Sequence, residues 1–125
     1  NWWNGIFNSG EFNNSYWYDG IFNNGKFNGL VWNNGIFNNG EFSGSTWNNG
    51  LFNSGVIYQQ SIWNNGYFYG GKFQDSIWNN GSFHKGSMFT SNWMNGDLFF
   101  GIMNNIYWSG GTWHHGITND VSFYY

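Results

Sequence analysis

Large aromatic residues recur at every fifth position along almost the whole chain. In the segment WNNGIFNNGEFSGSTWNNG, residues 32–50, they stand at Trp32, Phe37, Phe42 and Trp47. This spacing matches neither the 3.6-residue period of an α-helix nor the two-residue alternation of a β-strand. The backbone must therefore return to an equivalent position after every five residues.

The pentads group into a larger period of fifteen, which defines three columns of large apolar residues. Trp opens each group of three pentads (first column), and two more large residues follow at intervals of five (second and third columns). One extra residue enters near 58–60, after which the frame resumes. We predict a buried core ladder of Trp17, Trp32, Trp47, Trp63, Trp78, Trp93 and Trp108 from the first column, Phe22, Phe37, Phe52, Phe68 and Phe83 from the second, and Phe27, Phe42 and Phe73 from the third.

Glycine follows the same frame. It stands two residues before each second- and third-column position, at Gly5, Gly10, Gly20, Gly25, Gly35, Gly40, Gly50, Gly55, Gly66, Gly71, Gly81, Gly86, Gly96, Gly101, Gly111 and Gly116. The position two residues before the first column holds Ser15, Leu30, Ser45, Ser61, Ser76, Ser91, Ile106 and Val121, and never Gly. We interpret the glycines as corner residues that also leave room for the neighbouring rings.

A parallel β-solenoid is the architecture that this pattern favours. Hairpins at the Asn-Gly steps would leave strands of only about three residues, which is short for a meander. We predict an all-β fold with five-residue sides and about eight coils of 15 residues, about 40 Å long at a rise of about 4.8 Å per coil. In such coils Glu11, Lys26 and Glu41 stack with alternating charge. Four-sided coils of 20 residues, or several intertwined chains, are the alternatives.

The pentad G-x-[F/W]-N-N resembles the repeat of pentapeptide-repeat proteins, in which a small and a large residue two positions apart both point inward. The likeness runs from Trp2 to Phe123. It departs from that family because Gly replaces the usual Ala-like residue, aromatic residues replace Leu, and the superperiod is fifteen where the family's square coils use four pentads. The W/F-x-x-G-x-F runs also look like repeats of tailed-phage virion and tail-fibre proteins.

Composition bounds the possible functions. The chain has 125 residues, of which 26% are aromatic and only 7% charged, with a net charge of −3 and no Cys. We treat residues 1–125 as a single repeat domain, which we expect to be a fragment of a longer chain. A weak negative charge argues against nucleic acid as a partner, and no apolar run is long enough to span a membrane. The scattered acids and histidines form no catalytic or metal-binding motif, so we expect no enzyme activity, cofactor or metal.

Two sets of residues outside the core are candidates for contact with partners. The first is an outer apolar stripe of Ile6, Ile21, Ile36 and Leu51, which would form a contiguous exposed row. It predicts a structural protein that assembles with itself, or with neighbouring structural proteins, into a fibre or appendage outside the cell or on a virion. The alternative is an adhesin that binds glycans through Tyr16, Tyr18, Tyr67 and Tyr69.

Overall fold

The backbone winds back onto itself every fifteen residues. In the computed structural model, which describes residues 1–124, the twenty-one strands pair only in parallel, and these residues contain no helix. Ile21 pairs with both Ile6 and Ile36, each fifteen residues away. The predicted β-solenoid with coils of 15 residues is therefore confirmed, and the alternative of 20-residue coils is wrong.

Each coil has three sides, and each side contributes one short strand. The first side carries β1 (Ile6–Phe7), β4 (Ile21–Phe22), β7 (Ile36–Phe37), β10 (Leu51–Phe52), β13 (Tyr67–Phe68), β16 (Ser82–Phe83), β18 (Asp97–Leu98) and β20 (Thr112–Trp113). The second side carries β2 (Glu11–Asn13), β5 (Lys26–Asn28), β8 (Glu41–Ser43), β11 (Val56–Tyr58) and β14 (Lys72–Gln74). The third side carries β3 (Tyr16–Trp17), β6 (Val31–Trp32), β9 (Thr46–Trp47), β12 (Ile62–Trp63) and β15 (Ile77–Trp78).

The later coils join the second and third sides into single strands of seven residues. These are β17 (Ser87–Trp93), β19 (Ile102–Trp108) and β21 (Ile117–Phe123). Because β17 pairs with both β14 and β15, the second and third sides form one thirteen-stranded sheet, while the first side forms a separate sheet of eight strands.

The core consists of stacked aromatic rings. All fifteen residues of the core ladder are buried. Successive Trp rings of the first column lie 4.6–5.1 Å apart between centroids, with planes within 4–8° of parallel. Rings of different columns meet edge to face, as at Trp32 and Phe37, where the planes cross at 72°. Edge-to-face packing lets one Trp and two Phe fill the narrow interior of each coil.

The corner glycines have one of the two roles predicted for them. Gly35 has φ +120°, and a Cβ built on it would lie 2.3 Å from the carbonyl oxygen of Gly20, in the preceding coil. No ring atom is among its three nearest contacts. Glycine is therefore required because the turn needs a backbone conformation that L side chains rarely adopt, and because adjacent coils approach too closely for a Cβ. The interpretation that glycine makes room for the rings is wrong at this corner.

The corner before the first column turns by a different device. Its turning residue lies three positions before the Trp and takes the left-handed α conformation, as Asp75 (φ 50°) and Thr90 (φ 47°) do. Asn and Asp tolerate this conformation better than most residues. In the middle coils the next residue is a buried serine, at Ser45, Ser61, Ser76 and Ser91, which sequence reasoning did not identify as a structural group.

These serines form a ladder that satisfies the corner backbone. The hydroxyl oxygen of Ser76 accepts a hydrogen bond from the backbone N–H of Ser61 at 3.1 Å and donates to the carbonyl oxygen of Gln74 at 2.8 Å. The Ser91 hydroxyl plays the same role for the N–H of Ser76. Serine occupies the column because buried backbone groups there need a partner.

The extra residue of the repeat lies at this same corner. Tyr58 pairs with Ser43, an offset of fifteen, whereas Ile62 pairs with Thr46, an offset of sixteen. Between them Gln59 and Gln60 both have positive φ, at 55° and 58°. The additional residue is thus absorbed in a corner, and the strands on either side keep their inward and outward positions.

Candidate functional surfaces

The predicted outer apolar stripe lies along the first side. Its side chains are in register from coil to coil, and Tyr67 extends the row by pairing with Leu51. Ile6 is 60% exposed, Ile36 36% and Tyr67 49%, whereas Ile21 and Leu51 are half-buried. Beyond Tyr67 the same row turns polar and continues as Ser82, Asp97 and Thr112.

Two ladders of asparagine side chains border this stripe. On one border the amide of Asn38 donates to Asn23 at 2.8 Å and accepts from Asn53 at 2.8 Å. On the other border Asn64 donates to Asn48 at 2.9 Å and accepts from Asn79 at 2.8 Å. Each amide is held by the coils above and below it, so the apolar row lies between two rigid polar edges. The repeated Asn after each ring was the sequence signal for these ladders.

The four tyrosines proposed for glycan contact do not converge on one site. Tyr16 lies on the third side in the first coil and contacts Tyr18 at 6.3 Å between ring centroids. Tyr67 lies on the first side several coils away, and Tyr69 follows it at the next corner. The structure therefore brings Tyr16 and Tyr18 into contact, and Tyr67 and Tyr69 lie far from them as near neighbours in the sequence.

Two of these rings also use a face for contacts within the chain. The Tyr18 ring stacks on Trp3 at 4.3 Å, with planes 7° from parallel. The Tyr69 ring stacks on His84 at 4.8 Å, and the Lys85 ammonium lies 5.3 Å from its centroid. Sugar rings stack on aromatic faces, so each of these residues retains at most one face for such a ligand.

A row of aromatic and imidazole rings replaces one Asn ladder in the later coils. After Asn53 the row continues as Tyr69, His84, Phe99 and His114. The Phe99 and His114 rings are stacked, with centroids 4.9 Å apart and planes 2° from parallel. The Nε2 atom of His114 lies 3.7 Å from the Oδ1 atom of Asp97. Sequence reasoning missed this row, although reading every fifteenth residue would have revealed it.

An open groove of ≈ 950 Å³ lies beside the corner that holds the extra residue. Ile62 and Ile77 give it an apolar part, and Gln60, Asp75 and Thr90 contribute polar groups. Four of its lining residues, Gln59, Gln60, Asp75 and Thr90, are corner residues with positive φ. The sequence signal for this groove was the extra residue of the repeat at 58–60.

Charged groups are few and dispersed. Lys26 Nζ lies 3.6 Å from Glu41 Oε2 on the second side, in the stacked arrangement expected from the sequence. Within residues 1–124, no three His, Cys, Asp or Glu residues are placed to hold a metal ion together. No helix in that part of the chain is long and apolar enough to cross a membrane.

These features define a class: a three-sided parallel β-solenoid with a stacked aromatic core and in-register surface rows. The chain matches no protein-family model, no curated protein and no solved structure. Its winding agrees with a repeat protein in general, and its coils have three sides where the pentapeptide-repeat family has four.

Proposed function

We propose that this protein is a non-catalytic structural building block. It assembles with copies of itself, or with neighbouring structural proteins, into a fibre or particle appendage outside the cell or on a virion. The observation that carries the proposal is the in-register, partly exposed apolar row that begins at Ile6 and ends at Tyr67. The W/F-x-x-G-x-F repeats resemble those of tail-fibre proteins, which supports a location on a virion or outside the cell. A relationship to such proteins, or to pentapeptide-repeat proteins, is part of the proposal.

The shape of this surface suits another sheet of the same kind. Apolar side chains at a regular spacing of about 4.8 Å can interdigitate with a facing sheet, as side chains do in steric zippers. The bordering amides already hydrogen-bond to one another. A partner that covers the stripe therefore leaves few polar groups without a hydrogen-bond partner. Only 7% of the chain is charged, which keeps repulsion between copies low.

The size of the stripe favours a fibre over an isolated dimer. The stripe has one residue in each of five coils, so at about 4.8 Å per coil it extends for about 24 Å. With a width of about 10 Å it covers roughly 240 Å². A stable interface usually needs about 800 Å² from each partner. One such contact is therefore weak, and many contacts along a fibre are needed to hold the assembly together.

The stack can also lengthen along its axis. Strands β1 and β20 are the outermost strands of the first-side sheet among the described residues. Each has one edge along which a further coil, from the same chain or from another, can pair. Axial pairing and the lateral stripe together would provide the two directions of contact that a fibre needs.

Charging the stripe tests the proposal. We expect the unmodified protein to form large species by sedimentation velocity and electron microscopy. The double variant Ile21→Glu/Ile36→Glu should lose them, because it places carboxylates in the contact. The matched control is Val56→Glu/Ser87→Glu, which adds the same charge at outward positions of the second side and should assemble normally. Monomeric behaviour of the unmodified protein at micromolar concentration would refute the proposal.

Glycan binding is the second candidate function. It is favoured by the exposure of Tyr67 and Tyr69, which lie beside amide groups that could bond sugar hydroxyls. The test is a glycan array followed by the variant Tyr67→Ala/Tyr69→Ala, which should lose binding, while Tyr107→Ala, an exposed tyrosine of a later coil, should keep it. An array without hits would exclude this function.

A further inference from the structure

The eight Trp of the first column form an unbroken stack along the solenoid axis. From Trp2 to Trp108 every neighbouring pair of rings lies 4.6–5.1 Å apart between centroids, with planes 4–8° from parallel. Seven steps at about 4.8 Å carry the stack across about 34 Å. Close, parallel and chemically identical rings are the arrangement in which an electron passes readily from one ring to the next.

Packing alone does not explain why this column keeps tryptophan. The other two columns fill the same core in the same coils, yet they accept other residues: Leu98 in the second column, and Ile57, Met88 and Met103 in the third. The solenoid winds with the same spacing through those coils. The indole ring is thus retained through eight successive coils of a fold that tolerates smaller aliphatic groups beside it.

Among the described residues, the surroundings of the stack contain no group that would trap a positive charge at one ring. The buried polar or charged residues in the described chain are the serines Ser43, Ser45, Ser61, Ser76 and Ser91, none of which is an acid or a base at neutral pH. The indole N–H groups of Trp32, Trp47, Trp63 and Trp78 are buried and have no hydrogen-bond acceptor. An oxidised indole normally loses this proton to a nearby base, which traps the charge at one site. Trp17 and Trp93 donate this proton only to the backbone carbonyl oxygens of Asn34 and Gly110, which are too weakly basic to take it. The radical cation therefore keeps its proton, and the charge stays free to move.

We propose that the tryptophan stack conducts an electron hole along the solenoid. A one-electron oxidant near one end takes an electron from the closest indole, which becomes a radical cation while the oxidant is reduced. Each neighbouring Trp then donates an electron in turn, so the cation moves from ring to ring without breaking or forming a bond. At the far end an exposed aromatic residue supplies the last electron, and when that residue is a tyrosine its phenolic proton passes to water.

Burial sets the direction of this movement. A positive charge is less stable in the dry core than at the surface, so the hole moves toward exposed rings when it reaches them. At one end Trp108 contacts the partly exposed Trp113 at 5.0 Å. Tyr107, the residue before Trp108, is exposed on the outer face of the same strand and contacts Tyr124 at 5.6 Å. The buried rings therefore pass the charge on, and the stable oxidation products form at exposed residues.

The absence of cysteine makes a site-specific test simple. A single Ser9→Cys substitution, on an exposed corner of the first coil, allows a ruthenium polypyridyl photo-oxidant to be attached at one place. After brief illumination with a soluble electron acceptor, oxidised residues are located by peptide mass spectrometry. We expect products at Trp113, Tyr107 and Tyr124, far from the label, in addition to those near it.

Interrupting the stack distinguishes conduction from direct attack. The variant Trp47→Phe/Trp63→Phe removes two adjacent indoles, and the control Phe52→Leu/Phe68→Leu alters second-column rings of the same two coils. We expect the distal products to be lost in the first and kept in the second, with proximal products in both. Should the double Trp variant fail to fold, Trp47→Phe against Phe52→Leu replaces it, with a reduced distal yield expected. Distal products that are absent from the unmodified stack, or undiminished by the Trp changes, would overturn the proposal.

Discussion

The early and late coils of this solenoid share one winding but differ in nearly every surface row. In the early coils the first side presents Ile and Leu between hydrogen-bonded Asn ladders, whereas in the late coils it presents Ser82, Asp97 and Thr112 beside a row of aromatic and imidazole rings. The pairing offset of fifteen is nevertheless the same at both ends. Surface rows therefore decide what the solenoid can contact and have little influence on how it winds.

The core and corners show where the winding is specified. Late coils replace Phe with Met88, Leu98 and Met103 and join two sides into seven-residue strands, yet each coil still turns at equivalent corners. What persists through residue 108 is the Trp column together with a positive φ at most of the corner residues. The comparison teaches that corners set the coil length, while the core tolerates substitution in two of its three columns.

The largest effect is expected from a methyl group at an early corner. Gly40 has φ +125°, and an added Cβ would lie 2.2 Å from the Gly25 carbonyl oxygen. We expect Gly40→Ala to lower the free energy of unfolding by about 3 kcal/mol or more, because backbone strain of about 1–3 kcal/mol adds to a clash that only a backbone shift can relieve. Urea unfolding followed by circular dichroism measures the loss.

A late corner of the same kind provides the control. Gly101 also lies two residues before a third-column residue, but it has no positive φ, and the nearest atom to an added Cβ is 3.1 Å away, on the Phe83 ring. We expect Gly101→Ala to cost less than about 1 kcal/mol, as most tolerated substitutions do. Equal losses at the two corners would show that the late coils are as constrained as the early ones.

The serine ladder should give the next largest effect. Ser76→Ala removes the acceptor for the buried Ser61 N–H and leaves the Gln74 carbonyl without its hydroxyl donor. An unsatisfied buried group costs about 1–3 kcal/mol, so a loss of that size is expected in the same unfolding assay. Ser82→Ala, at an outward position of the first side, should change stability by less than about 0.5 kcal/mol.

The two versions of the same surface row can be compared directly. Asn38→Ala breaks two amide hydrogen bonds of 2.8 Å, so we expect a loss of about 1 kcal/mol. His84→Ala removes a stacked contact with Tyr69 and should cost about 0.5 kcal/mol, the lower end for aromatic pairs. A greater loss at His84 in thermal unfolding would mean that the ring row stabilises the late coils more than amides stabilise the early ones.

The smallest effect is expected from the charged pair of the second side. Lys26 and Glu41 are each about half exposed and 3.6 Å apart. Lys26→Met should change the free energy of unfolding by less than about 0.5 kcal/mol, and added salt should remove the difference. Lys72→Met is the control, because Lys72 pairs with the uncharged Val56 and Ser87. A salt-independent loss specific to Lys26 would contradict this view of the pair.

The repeat alone was enough to predict which residues occupy equivalent positions. Trp32 and Trp47 stack, and Ile21 and Ile36 pair, as the period of fifteen requires. The same period identified the core ladder and the exposed stripe, since in a short strand the inward and outward positions alternate. Equivalence along the chain is a one-dimensional property, so a single sequence reveals it.

Contacts between coils determine why particular residue types are needed at several of those positions. Whether Gly35 is needed for a ring or for its backbone depends on how close the Gly20 carbonyl lies. Whether Ser76 or Asn38 is structural depends on hydrogen bonds to residues about one coil away. The sequence determined the winding because repetition alone encodes it. Only the tertiary structure decided the corners, the ladders and the ring geometry, because these depend on distances between residues fifteen positions apart.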